Sequence, residues 1–96
     1  MLIITATWHA KLGMDAELKE HLTTMVHAVQ DHEPDCLEYT LHQGAHDPAL
    51  FFLYEQYRTQ AAFELHKNTD HFKHLIEVTR DLIDVPVTVQ SLQIIA

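Results

Sequence analysis

The segment Phe52-Leu-Tyr-Glu-Gln-Tyr-Arg-Thr-Gln-Ala-Ala-Phe-Glu-Leu-His66 joins a run containing Glu55 to a run bearing His66. A neutral imidazole held in a pocket can hydrogen-bond a hydroxyl group and take its proton near neutral pH, and a carboxylate or phenol beside it can orient the ring or polarise a second oxygen. His66, Glu55 and Tyr39 are the candidates for that chemistry. His66 follows Ala62 and Phe63 on the inner side of a helix, opposite the strand with Glu55 and near the strand with Tyr39. The alternative is structural: Glu55 and His66 simply hydrogen-bond to each other.

A second group of residues invites a metal. His66, Asp70 and His74 recur at intervals of four, and on one continuous helix they would offer two imidazoles and a carboxylate, a ligand set suited to iron or zinc. Asn68-Thr69-Asp70 reads as a helix break that disrupts this spacing, so no metal site is expected. His-Glu-x-x-His, Cys-x-x-Cys and the EF-hand loop are absent, as is the Gly-x-Ser-x-Gly elbow. Two glycines far apart cannot build a glycine-rich phosphate loop. His21, His27, His32, His46 and His74 read as solvated side chains. Cys36 opens an apolar run with no activating cation nearby in sequence, which suits a buried, unreactive thiol.

The elements that must position these residues follow from hydropathic period. Residues 2–11 are rich in Ile, Thr and Ala and end at Leu12-Gly13, which predicts a strand and a turn. From Asp15 to about Glu33, Leu18, Leu22, Met25, Val26 and Val29 fall at helical spacing, with Asp15 as the expected N-cap and Pro34 as the stop. Residues 36–43 alternate, with Leu37, Tyr39 and Leu41 on one face, and residues 44–48 turn the chain into a second strand, 50–57. Thr59 is positioned to cap a helix to Asn68, and Thr69 or Asp70 to cap another from His71 to about Asp84. Phe72, Leu75, Ile76, Thr79 and Ile83 form the expected buried stripe of that helix. Pro86 opens a last alternating strand. The order β-α-β-β-α-β, with the second helix broken in two, predicts an α+β, ferredoxin-like fold: a four-stranded antiparallel sheet with helices on one face. The strand 50–57 starts apolar on both sides, so the bare sheet face is expected to meet a second copy of the chain.

Composition narrows the partners. Ninety-six residues fit one domain spanning 1–96, and a chain of this length buries about 60–70% of its unfolded surface. A formal charge of −8 with only six Lys and Arg disfavours nucleic acid and anionic membranes. Protonating the nine histidines takes the net charge from −8 to about +1, so solubility is expected to be poorest near pH 5. The N-terminal Met1-Leu-Ile-Ile lacks a basic region and is too short for a signal or membrane segment. One cysteine suits a reducing cytoplasm.

The stretch from Phe52 to Phe72 resembles the signature of the antibiotic biosynthesis monooxygenase family: aromatic-x-Tyr54-Glu55-x-aromatic, then Ala62-x-x-x-His66, then His71-Phe72. Glu33-Pro34-x-Cys36-Leu37-x-Tyr39 matches a second family segment, with Asp35 where glycine is usual. The resemblance implies a dimeric α+β barrel. It also implies a cofactor-independent monooxygenase that deprotonates a small quinol or hydroxylated aromatic and lets the anion react directly with dioxygen. On this reading His66, Glu55 and Tyr39 are catalytic, while Trp8, Phe63, His71 and Phe72 bind the substrate. Haem-degrading relatives carry a tryptophan where His66 stands here, so haem is not expected. Two alternatives remain open. One is isomerisation of a small phosphorylated dione, as in autoinducer-2 processing proteins, for which Lys11, Arg58 and Lys67 are the nearest cations. The other is a non-catalytic, ligand-binding dimer.

Overall fold

The computed structural model describes all 96 residues. The chain runs β1 (Leu2–His9), α1 (Asp15–His32), β2 (Cys36–Gln43), β3 (Leu50–Tyr57), α2 (Gln60–Lys67), α3 (Asp70–Thr79) and β4 (Thr88–Leu92). The strands form one antiparallel sheet in the order β2-β3-β1-β4. This is the ferredoxin-like α+β arrangement that the hydropathic pattern predicts. No helix is long and apolar enough to cross a membrane.

Register decides which side chains can meet. Ile4, Ala6 and Trp8 of β1 lie opposite Glu55, Leu53 and Phe51 of β3, and Tyr39 of β2 lies opposite Glu55 from the other side. Residues directly opposite share a face of the sheet, so Trp8, Tyr39 and Glu55 all point the same way. That face is the buried one. Leu18, Leu22, Met25 and Val29 of α1 pack into one core cluster with Ala6, Trp8, Phe51 and Leu53. Burying four such aliphatic side chains contributes on the order of 1.5–3 kcal/mol each. The opposite face presents Thr40, His42, Phe52 and Tyr54, and on it Phe52 remains 37% exposed.

Several boundaries differ from the sequence expectation, each for a local reason. Asp15 is not the cap of α1 but its first residue. Met14 occupies the cap without a side-chain hydrogen bond, and Asp15 and Glu17 instead place negative charge in the first turn, against the positive end of the helix dipole. Leu37 is displaced by a bulge between Cys36 and Glu38 and is 40% exposed, so regular alternation in β2 begins only afterwards. The third helix ends at Thr79, short of Asp84, because the following residues pair with the end of β1. Lys11 N–H donates to Leu82 O at 2.8 Å, Asp84 N–H to His9 O at 3.2 Å, and Ala10 bridges Ile83. Of the expected stripe, Leu75 and Thr79 are buried, whereas Ile76 is exposed and Ile83 lies outside the helix. Gly13 makes the β1–α1 turn at φ 82°, in the left-handed region where a side chain is strained.

Candidate active site

His66 is the buried residue of α2, and the helix caps explain its placement. Thr59 accepts a hydrogen bond from Ala62 N–H at 3.1 Å and fixes the start of the helix, which sets His66 on the inner side in the last turn. Thr69 then acts twice. Its hydroxyl donates to His66 O at 2.8 Å and accepts from Phe72 N–H at 3.1 Å, closing α2 and opening α3 with one side chain. The break brings Phe72 edge-on to the imidazole, with ring centroids 5.1 Å apart. Tyr57, Tyr39 and Phe63 complete an aromatic shell at 5.4, 5.6 and 6.2 Å. Four rings keep bulk water from His66, which is 2% exposed.

The polar partners of His66 differ from those expected. His66 Nδ1 lies 2.9 and 3.0 Å from the two carboxylate oxygens of Glu33, the residue that ends α1. Glu55 is on the other side, its Oε1 4.0 Å from His66 Nε2, which is beyond hydrogen-bonding distance. Glu55 instead accepts from the Tyr57 hydroxyl at 2.6 Å. The direct Glu55–His66 hydrogen bond is therefore not formed, and neither Glu55 nor Tyr39 orients the ring; Glu33 does. A carboxylate only accepts, so it is the Nδ1 side of the ring that faces an acceptor. His71 Nε2 donates to the same carboxylate at 2.5 Å.

Environment separates the two carboxyl groups. Burial works to raise the pKa of Glu33, but the hydrogen bonds from His66 and His71 outweigh it and hold the group below its ordinary value. For Glu55 burial wins: it raises the pKa, the Tyr57 hydroxyl and His66 offset part of the rise, and the charge of Glu33 adds to it. Burial, then the charge of Glu55, pushes Tyr39 well above its usual range, and the same two causes keep Tyr57 protonated. Burial foremost pushes the Cys36 thiol up to about 12, and the thiol donates to Glu38 O.

A cavity of about 140 Å³ lies between the sheet and the helices α2 and α3. Tyr39, Glu55 and His66 all line it, with Trp8, Phe63 and Phe72 among its apolar walls. An apolar cavity of about this size holds one benzene-sized ring. His71 is elsewhere: it stands behind Glu33 and lines a groove between α1 and α3 with His21 and His74. Of the three candidate cations only Lys67 reaches the cavity wall. Its ammonium lies over the Phe63 ring at 4.7 Å and pairs with Glu64 at 3.2 Å, while Arg58 is paired with Asp35. The indole N–H of Trp8 is buried with no partner. The helix break at Asn68 separates His66 from His74, and no group of three or more His, Cys, Asp or Glu side chains is placed to hold a metal ion.

Glu33 is the site residue that sequence reasoning passed over. It reads there as the end of an amphipathic helix before Pro34, and its partner is 33 positions away. The matched segment Glu33-Pro34-x-Cys36 was the available signal.

Known proteins share both the fold and the sequence pattern. The profile of the antibiotic biosynthesis monooxygenase family matches residues 1–78. The crystal structure of PA3566 from Pseudomonas aeruginosa superposes with a TM-score of 0.90 at 37% identity, covering 99% of this chain and 94% of that one. A crystal structure described as an antibiotic biosynthesis monooxygenase superposes with a TM-score of 0.92 at 25% identity, each chain covered in full at 100%. The uncharacterized protein sll1783 from Synechocystis is 27% identical over 62 residues, 65% of this chain. That match spans only 42% of the curated relative's length. Joined to the ferredoxin-like sheet and to Glu55, His66 and Phe72 of the motif on the cavity wall, these matches establish that the chain belongs to the antibiotic biosynthesis monooxygenase family.

Proposed function

We propose that the protein is a cofactor-independent monooxygenase of a small, single-ring quinol or hydroxylated aromatic. The observation that carries this reading is the gap between His66 Nε2 and Glu55 Oε1. The two atoms are 4.0 Å apart on the wall of an otherwise apolar cavity. One hydroxyl oxygen can lie about 2.8 Å from both. His66 Nε2 takes the hydroxyl proton, and the ring, now an electron-rich anion, bonds dioxygen at a carbon that bears hydrogen. The resulting hydroperoxide loses water to leave a carbonyl: one oxygen atom stays in the product, the other departs as water, and the proton held on His66 returns to the departing oxygen. Glu55, with its raised pKa, is suited to exchange a proton with the same oxygen, and the Tyr39 hydroxyl, which makes no hydrogen bond within the chain, is a free donor.

Lys67 favours an aromatic over a phosphorylated substrate. The one cation on the wall is already engaged by Glu64 and Phe63, which leaves little attraction for a phosphate. The working form in this reading is a homodimer in the cytoplasm, with Phe52 and its neighbours on the open sheet face covered by a second copy.

Oxygen consumption by metal-free protein, measured over a panel of hydroxyarenes of one to three rings, tests the proposal. Uptake above autoxidation is expected with single-ring compounds and should fall sharply with tricyclic ones. No uptake above autoxidation anywhere in the panel contradicts it.

A further inference from the structure

We infer that Glu33 is a positioning residue for the base: by holding the proton of His66 on Nδ1, it keeps the Nε2 lone pair bare towards the cavity. This rests on the reading of His66 as the base and assigns a role to a carboxylate that never touches the substrate.

The argument is a competition between two carboxylates for one proton. Neutral imidazole has a single N–H, and His66 has an acid on each side. Glu33 is within 3.0 Å of Nδ1, whereas Glu55 is 4.0 Å from Nε2 and is already occupied by the Tyr57 hydroxyl at 2.6 Å. The nearer acceptor wins, so the proton sits away from the cavity. Were Glu33 absent, Nδ1 would be a buried donor without an acceptor. The proton would then move to Nε2, where Glu55 is the remaining charge, and the base would be lost.

Glu33 suits this role because it is itself held. His66 donates to it from the end of α2 and His71 from the first turn of α3, so that one carboxylate at the end of α1 joins three helices. The carboxylate side chain is 7% exposed and that of His71 20%, which places His71 between Glu33 and solvent. Two converging N–H groups keep Glu33 ionised. When His66 takes the substrate proton, both its nitrogens carry hydrogen, and the fixed negative charge at 2.9 Å stabilises the imidazolium that forms. The other groups facing the ring, Tyr39 and Tyr57, stay neutral, and so supply no competing charge.

The test is the ring tautomer of His66 in the ligand-free protein, read from imidazole ¹⁵N shifts followed over a pH series to the alkaline plateau where they no longer change. Wild-type protein is expected to show protonated Nδ1 and bare Nε2, and Glu33→Leu to show the proton moved to Nε2. In oxygen uptake, Glu33→Leu should lose about 10²–10⁴-fold in kcat with KM retained, and Glu33→Asp should recover most of the rate. An Nε2 proton in the wild type, or an Nδ1 proton retained in folded Glu33→Leu, overturns the inference. Should Glu33→Leu fail to fold, the wild-type and Glu33→Asp spectra decide, since both must show the Nδ1 proton. Absence of oxygen uptake in the wild type would sink the monooxygenase reading while leaving the tautomer result to stand or fall by itself.

Discussion

Between Glu33 and Glu55, two glutamates on either side of one imidazole, burial has opposite outcomes, and pH dependence follows from the sign of each. Glu33 has its pKa lowered in the folded state, so its stabilisation is present above the ordinary carboxyl value and is lost as pH falls through the folded value. Urea midpoints should therefore decline below about pH 4.5 in the wild type and decline less in Glu33→Gln. Glu55 has its pKa raised, so its neutral form stabilises the fold at low pH and that contribution is lost as pH rises through the folded value. Glu55→Gln should accordingly gain stability relative to wild type at pH 7 compared with pH 4, while oxygen uptake falls. A difference between Glu55→Gln and wild type that is the same at both pH values would contradict the assignment of burial as the dominant cause. The Cys36 thiol, pushed up to about 12, should resist alkylation at about pH 8 in folded protein and react once it is unfolded. Tyr39, Glu55 and His66 were legible as candidates because a motif and two alternating strands fix their faces. Glu33 was not, since a carboxylate at a helix end is ordinary and only the tertiary fold brings it to a residue 33 positions on.

Among the elements, the short break between α2 and α3 has the largest consequence for the site. Thr69 bonds both the last turn of one helix and the first of the next, and His66 and Phe72 owe their mutual orientation to it. Thr69→Ala should cost about 1 kcal/mol by the loss of the cap, seen as a lower urea midpoint, and should also depress activity by loosening the imidazole. Thr59→Ala removes the other cap, and a similar stability loss is expected there. The Thr59 cap could be read from the sequence because cap chemistry is local, whereas Thr69 stood there beside Asp70 as one of two candidates, and Asp70 proves to be the first residue of α3. The end of α3 could not: residues 80–84 keep a helical hydropathic pattern, yet their backbone pairs with the end of β1, a long-range competitor that periodicity does not register. The bulge at Leu37 is similar, since an inserted residue in a strand leaves its apolar alternation unchanged on paper.

For the whole molecule, one face of the sheet is filled by helices and the other is open, and the proposed dimer follows from that asymmetry. Light scattering after size exclusion should give twice the chain mass of 11.1 kDa, and Phe52→Lys on the open face should shift the mass towards a single chain. A single-chain mass for the wild type at micromolar concentration would contradict the dimer. The helix-covered face holds the central claim, that His66 removes a hydroxyl proton inside the cavity. Its most direct measurement is anaerobic binding of a single-ring phenol whose anion absorbs in the visible, at a pH about one unit below the ligand's own pKa. Wild-type protein should bind it as the anion and His66→Ala as the neutral phenol; a neutral phenol in the wild type, an anion in both, or no binding at all would contradict the account.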